Sequence, residues 1–214
     1  MIDSTPASRL LLIEAAAIEP ILRRAPAEAF ELPTVCAGWS VRDVLAHCAA
    51  ALGRVTSGDV HGFGPAENQE DVDARRDLPL DGLLAELLDG YRPAAAAIAA
   101  AGGRLDAVAL GVWVHGGDVR EQLGDPDPYS GPGADLAIEL LVDASAALPA
   151  VLGELPDRVL HLGSLDGVTL PGRLVADVET LVRLLTGRDP DPARYHLDGV
   201  QPDALRTCEW RCGP

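Results

Sequence analysis

Apolar side chains recur at helical spacing in the N-terminal half of the chain. Intervals of three, four and seven residues predict helices over residues 8–24, 41–54, 81–101 and 105–123. The polar stretch from Ser57 to Pro79 predicts a long loop with a helical piece. Glycines follow the last two helices, at Gly102 and at Gly124, as is common where helices end. Helices with these connections predict an antiparallel four-helix bundle.

The pattern changes near residue 130. Two further helices are predicted, over residues 134–152 and 175–186. Short runs typical of strands lie at residues 158–164, 168–170 and 193–197. The predicted fold class is therefore α+β, with the four-helix bundle over residues 1–130 and a small C-terminal α+β domain over residues 131–214.

The charge of the chain excludes several classes of partner. With 17 Lys and Arg against 33 Asp and Glu, the formal net charge is -16. Phosphate would be repelled at long range, so neither nucleic acid nor an anionic membrane surface is an expected partner. No run of roughly eighteen uncharged apolar residues is present, and the N-terminus lacks the basic start and apolar centre of a signal peptide. These features predict a cytoplasmic protein whose four cysteines are reduced.

A histidine in the second helix is the first candidate for chemistry. Ser40 is placed to cap that helix, because its hydroxyl can accept the N–H of Asp43, whose carboxylate suits the first turn. His47 lies beside Val44 and Ala51, at the edge of the apolar stripe. We therefore expect His47 to face a core or a cleft rather than open water.

A second histidine lies in the fourth helix. His115 shares a face with Gly111 one turn earlier and with Asp118 one turn later. Bundles build metal sites from facing helices, and neutral imidazoles suit zinc and related metals. His47 and His115 could therefore bind one divalent ion, although the spacing equally allows two ordinary core or surface histidines. The Gly116-Gly117 pair in mid-helix either permits close packing or leaves room for a ligand.

Three segments resemble a known family. The stretch from Leu32 to His47, LPTVCAGWSVRDVLAH, looks like the first motif of the mycothiol-dependent maleylpyruvate isomerase family, within the DinB-like metal-binding bundle superfamily. The stretch from Trp113 to Gly124 resembles the second motif, and residues 184–200 are similar to the closing segment of the family's C-terminal domain. Because the match runs through nearly the whole chain in order, the chain is identified as a member of this family.

The resemblance implies a zinc-like ion held by three side chains. Two of them match His47 and His115, and the third, an acidic or imidazole side chain in the family, falls at Gly111, which offers no ligand. Asp118 is the nearest substitute on the same side of the helix, and it could instead fix the tautomer of a histidine. Remoter candidates are Glu121, Asp43 and Glu67.

The same resemblance implies an isomerase or S-transferase that uses a low-molecular-weight thiol, mycothiol or a similar one. A divalent ion, with zinc as the first choice, would lower the pKa of the thiol, and the thiolate would attack a small electrophile. A carboxylate on that substrate would suit a guanidinium. Arg188 is the candidate for this role and Asp118 is the second candidate catalytic residue, although Arg188 could instead cap the preceding helix.

The expected partners are a small-molecule substrate and the thiol, with the protein as a monomer or homodimer. The alternative is a metal-free, degenerate family member that serves as a small-molecule binding or interaction protein. Gly111 is the residue that keeps this alternative open.

Overall fold

The structure, a computed structural model, describes residues 4–60, 63–164 and 171–207. Contacts among them divide the chain into two compact units, and the division falls between Pro128 and Tyr129. The strand predicted at 168–170 lies outside the described residues, as do Cys208 and Cys212.

The first unit consists of helices around an apolar core. These are α1 (Pro6–Leu22), α2 (Val41–Ser57), α3 (Pro65–Asp73), α4 (Leu80–Ala100) and α5 (Asp106–Gln122). Both α1 and α2 pack against α4 and α5, so α1 and α2 lie diagonally opposite each other in a four-helix arrangement. The short α3 packs on α2 and is the helical piece expected in the long loop. The predicted bundle is confirmed.

The second unit combines helices with a four-stranded sheet. Its elements are α6 (Ala134–Ala144), β1 (Val151–Glu154), β2 (Val159–Leu162), β3 (Gly172–Ala176), α7 (Val178–Thr186) and β4 (Tyr195–Asp198). The strand order is β2-β1-β3-β4, with β1 parallel to β3 and antiparallel pairs on either side. The predicted α+β class is confirmed, and so are the strands expected around residues 158–164 and 193–197.

Two predicted helix boundaries are wrong. The helix expected over residues 134–152 ends at Ala144, and β1 begins at Val151. Pro149 has no N–H to donate and disfavours a helical Leu148, whose φ of -79° and ψ of 161° are extended. The helix expected from residue 175 begins only at Val178, because the preceding residues pair with β1 and β4. No helix among the described residues is long and apolar enough to cross a membrane.

Candidate metal centre

The loop before α2 is held by short-range hydrogen bonds. Ser40 Oγ accepts the N–H of Asp43 at 3.2 Å, and Asp43 Oδ2 accepts the N–H of Ser40 at 2.9 Å, which completes a capping box. Trp39 O accepts the N–H of Thr34 at 2.9 Å, and Cys36 O accepts that of Trp39 at 2.9 Å. The predicted cap is confirmed, and these bonds fix the path of the chain into α2.

The helix α5 runs through the interior of the bundle. Every residue from Ala109 to Arg120 is buried, with His115 4% exposed and Asp118 fully enclosed. His115 Nδ1 and Asp118 Oδ2, one turn apart, lie 2.8 Å from each other, which is a hydrogen-bond distance. The Asp118 carboxylate therefore orients the His115 ring.

The two histidines singled out in the sequence lie side by side. Their ring centroids are 5.2 Å apart and the ring planes are almost perpendicular, at 87°. Burial, and then the charges of His115 and Arg54, lower the pKa of His47 to about 3, so this imidazole is neutral at neutral pH. His47 Nδ1 is buried without a hydrogen-bond partner among the described residues. Such an unsatisfied atom calls for an explanation, and a bound ion is one.

A cysteine that the sequence reasoning did not single out joins this group. Cys36 Sγ lies 3.7 Å from His115 Nδ1 and 3.4 Å from Asp118 Oδ2. Within the described part of the chain, Cys36, His115 and Asp118 are the cluster whose donor atoms could hold a metal ion, and His47 is not a member of it. The sequence contained one signal for it, because Cys36 is a residue type that binds metals and lies within the first motif.

The cysteines differ in redox state. Cys36 is disulfide-bonded. The expectation that all cysteines are reduced is therefore wrong for Cys36. Cys48 is a free thiol in the core, and burial, followed by the charges of Asp118 and Glu14, raises its pKa far above the ordinary thiol range. A thiol of that kind is inert, so Cys48 does not contribute to the chemistry of the centre.

The third metal ligand implied by the motif resemblance is missing at its expected position. Gly111 is buried in α5 one turn before His115 and carries no donor atom. Of the substitutes weighed in the sequence, Asp118 reaches the centre and belongs to the cluster. Asp43 is engaged in the capping box of α2. Glu67 and Glu121 are not members of the cluster.

Arg188 belongs to the second unit. It follows α7, its backbone N–H donates to Arg183 O at 2.9 Å, and its Nη1 donates to Thr186 O at 2.9 Å. The side chain is 6% exposed. These bonds to the last carbonyls of α7 are those of a helix-capping residue, which was the alternative reading of Arg188. A role in carboxylate binding stays a prediction.

A buried ion pair joins α5 to α1. Arg120 Nη1 donates to both carboxylate oxygens of Glu14, at 2.7 and 3.0 Å, and Arg120 Nε donates to Pro128 O at 2.9 Å. Gly116 makes room for this pair, because a Cβ added there would lie 1.9 Å from Glu14 Oε1. This glycine thus serves close packing between α1 and α5 rather than a ligand.

The contribution of Glu14 to protein stability is expected to fall as the pH rises from about 4.5 to about 6, whereas the lowered pKa of His47 acts in the opposite direction. Burial raises its pKa from 4.5 to about 6, against the opposing effect of Arg120. In this window Glu14 binds more protons in the native state than in the unfolded chain, so its own contribution to the free energy of unfolding decreases by about 2 kcal/mol in all. Urea unfolding of the wild type and of Glu14→Gln across the window measures the difference, and parallel profiles would contradict the assignment.

These features define a class of protein: a helical bundle whose His, Cys and Asp side chains converge in its interior, followed in sequence by a small α+β unit. Residues 11–125 match the family model described as the mycothiol maleylpyruvate isomerase N-terminal domain. Because this match covers more than half of the 214 residues, the chain belongs to the mycothiol maleylpyruvate isomerase family. The family predicted from the sequence motifs is confirmed.

Two solved structures share the fold. The crystal structure of the mycothiol-dependent maleylpyruvate isomerase aligns with a TM-score of 0.59 at 13% sequence identity, over 92% of this chain and 94% of that one. A histidine-to-alanine mutant of that isomerase aligns with a TM-score of 0.58 at 13% identity and the same coverage. At this identity the likeness shows the fold alone. A comparison with curated proteins finds no match.

Proposed function

We propose that the protein is a metal-dependent isomerase or S-transferase, with zinc as the ion, that uses mycothiol or a similar low-molecular-weight thiol to isomerise a small electrophilic substrate or to become attached to it through sulfur. The observation that carries the proposal is the pairing of His47 and His115 in the bundle interior, where His47 Nδ1 is buried and has no hydrogen-bond partner in the part of the chain that the structure describes. The family of the chain and the activity of the isomerase that it resembles in fold support the same proposal.

The donor set suits the ion. His47 is neutral, so one of its ring nitrogens offers a lone pair to a metal without the loss of a proton, and Asp118 orients His115. A bound divalent ion would lower the pKa of a coordinated thiol, so that a thiolate exists at neutral pH. The buried walls around His115 exclude bulk water, which strengthens each electrostatic contact made there.

The substrate is proposed to carry a carboxylate, as maleylpyruvate does. Arg188 is our candidate for binding it, since a guanidinium pairs with a carboxylate through two parallel hydrogen bonds. The proposal places the enzyme in the cytoplasm, as a monomer or homodimer, with no nucleic acid or membrane partner. The net charge of -16 supports the exclusion of polyanionic partners.

Replacement of His47 by alanine is expected to weaken zinc binding by about a hundredfold or more, because it removes a neutral nitrogen donor next to His115. Calorimetric zinc titration of the reduced full chain, with metal analysis of the protein as isolated, measures the effect. His196→Ala is the matched control, since that imidazole is exposed on β4 and paired with Asp198. A wild-type protein that binds no zinc, or a variant with unchanged affinity, would overturn the assignment of His47.

A second candidate function is a metal-free family member that binds a small molecule or a partner protein. Gly111 favours it, because the family's third ligand is replaced by a buried residue without a donor. The same zinc titration separates the two functions. Stoichiometric binding supports the enzyme, and absence of binding in every redox state supports the metal-free protein.

A further inference from the structure

Cys36 has no part in the proposed function, yet its sulfur is fixed beside the two polar groups of α5. The side chain is 3% exposed. The backbone around it is held in place because Cys36 N donates to Thr34 Oγ1 at 3.2 Å and Trp39 N donates to Cys36 O at 2.9 Å. The position of the sulfur is therefore set by the same loop that starts α2, and not by a flexible side chain alone.

The distances around Cys36 resemble those of a zinc site. Zinc bonds are about 2.3 Å long to sulfur and about 2.1 Å long to nitrogen or oxygen. In a tetrahedral site, a sulfur ligand therefore lies roughly 3.6 Å from a nitrogen or oxygen ligand, and a nitrogen ligand lies roughly 3.4 Å from an oxygen ligand. Cys36 Sγ lies 3.7 Å from His115 Nδ1 and 3.4 Å from Asp118 Oδ2. Both distances from Cys36 Sγ therefore match those expected between ligands of a tetrahedral zinc ion.

The third separation differs in a way that a metal ion would correct. His115 Nδ1 and Asp118 Oδ2 are 2.8 Å apart, as a hydrogen bond requires. Coordination needs this pair to open by roughly 0.6 Å, with the proton between them released to solvent. Such a change lies within the range of a side-chain rotation, so the backbone can stay as it is.

The redox state of Cys36 decides whether this ligand set exists. A thiolate is the form of cysteine that binds metals, whereas Cys36 is disulfide-bonded. In the oxidised chain the Cys36 sulfur beside His115 and Asp118 is not a thiolate and is not available as a ligand. In the reduced chain the cluster supplies one sulfur, one nitrogen and one oxygen, the number of protein ligands found in catalytic zinc sites.

We infer that reduced Cys36, His115 and Asp118 form a three-ligand site for zinc or a similar divalent ion, and that oxidation of Cys36 to its disulfide dismantles the site. The inference rests on the proposed function, which requires an ion at His115. It makes Asp118, which orients His115 in the metal-free protein, a ligand of that ion, and His47 is not one of the three ligands. It deepens that function in two respects. Cys36 supplies the ligand that Gly111 lacks, and metal loading follows the thiol–disulfide state of the chain.

The redox step needs a reductant, and the proposed thiol cosubstrate is one. A first thiolate attacks the disulfide, forms a mixed disulfide with one protein sulfur and displaces the other as a thiolate. A second thiolate attacks the mixed disulfide, releases the remaining protein sulfur and leaves the oxidised small thiol as a disulfide. Two electrons pass from two thiols to one protein disulfide. Metal binding then displaces the proton of Cys36.

The test is a titration of the full chain with Zn²⁺ and with Co²⁺, once fully reduced and once oxidised. We expect the reduced protein to bind one ion at least about a hundredfold more tightly than the oxidised protein does. The reason is that loss of a metal ligand lowers the affinity at least as much as loss of a residue that supports a ligand. Co²⁺ bound by a thiolate absorbs in the near ultraviolet through charge transfer from sulfur. That band is expected in the reduced protein and is expected to be absent from the oxidised one.

Matched variants identify the sulfur. Cys36→Ser is expected to abolish both the charge-transfer band and the difference between redox states, and Asp118→Asn to weaken binding in the reduced state. Cys48→Ala is the control, because that thiol is free, buried and outside the cluster. Circular dichroism checks the fold of each variant. If Cys36→Ser does not fold, Asp118→Asn and His115→Ala decide, because a band that survives both variants comes from a sulfur outside the cluster.

The possible outcomes separate the two proposals. Equal affinity in both redox states, or a redox difference that persists in Cys36→Ser, overturns the inference and leaves the proposed function standing. A protein that binds no ion in either state overturns both. Tight binding in the reduced state together with the Co²⁺–thiolate band supports the inference and the metal dependence of the proposed function, whereas the assignment of His47 is decided by His47→Ala.

Discussion

Glu14→Leu is expected to lower the free energy of unfolding by about 3–5 kcal/mol at neutral pH. The substitution removes both oxygens that Arg120 Nη1 contacts, at 2.7 and 3.0 Å. The side chain of Arg120 is 5% exposed and that of Glu14 is fully enclosed, so water does not replace the lost acceptors. A guanidinium buried without its counter-ion carries the cost of desolvation with no compensating attraction. Urea denaturation monitored by circular dichroism measures the change.

Two controls separate the buried charge from the loss of one side chain. The double variant Glu14→Leu/Arg120→Met is expected to recover most of the lost stability, because an apolar pair of similar volume leaves no charge unpaired. Glu19→Leu removes an exposed ion pair with Arg23 on the same helix and is expected to cost less than about 1 kcal/mol. If Glu14→Leu costs no more than Glu19→Leu, the buried pair is not the link between α1 and α5 that we describe.

Gly116→Ala is expected to destabilise the protein by about 3 kcal/mol, although alanine is normally the better helix former. The new Cβ would lie 1.9 Å from Glu14 Oε1 and 2.8 Å from Glu14 Cδ. The carboxylate cannot simply swing away, because it holds Arg120 through two hydrogen bonds. Either the ion pair breaks or α1 and α5 move apart, and both outcomes cost stability.

Gly53→Ala provides the comparison for Gly116→Ala. Gly53 lies in the middle of α2, is exposed, and a Cβ there would meet nothing within 4 Å. Its replacement is expected to stabilise the protein by about 0.5–1 kcal/mol, the ordinary gain in helix propensity. In a Glu14→Ala background the penalty of Gly116→Ala should largely vanish, since the clashing carboxylate is gone. A penalty that persists there would show that the steric conflict lies elsewhere.

These stability measurements also concern the metal centre, because α5 carries both Arg120 of the buried ion pair and the His115 and Asp118 side chains of the metal cluster. On that helix His115 is next to Gly116 in sequence, and Asp118 lies two residues before Arg120. The Glu14–Arg120 pair anchors α5 against α1, whereas the loop before α2 carries Cys36. Variants of the ion pair are therefore expected to change stability first, and variants of His47 or Cys36 to change metal affinity first. Measurement of both quantities on each variant tests that separation.

Much of the first unit could be predicted from local patterns. Apolar spacing located its helices to within a few residues, and Ser40 and Asp43 formed the cap expected between neighbours three residues apart. In the second unit the same approach extended a helix through Pro149 to residue 152 and did not predict β1. Strands of four residues carry too little periodicity to be distinguished from the end of a helix when they follow one.

The sequence by itself determined the family, the capped helix that presents His47, the helix that presents His115, and the absence of a ligand at Gly111. Only the tertiary structure decided which side chains meet. Cys36 reaches His115 across 79 positions of the chain, and Arg120 reaches Glu14 across 106. Capping and periodicity act within one or two turns, so a sequence displays them directly. Contacts between distant segments depend on how complete helices pack, and no local pattern around Cys36, Glu14 or Gly116 records that packing.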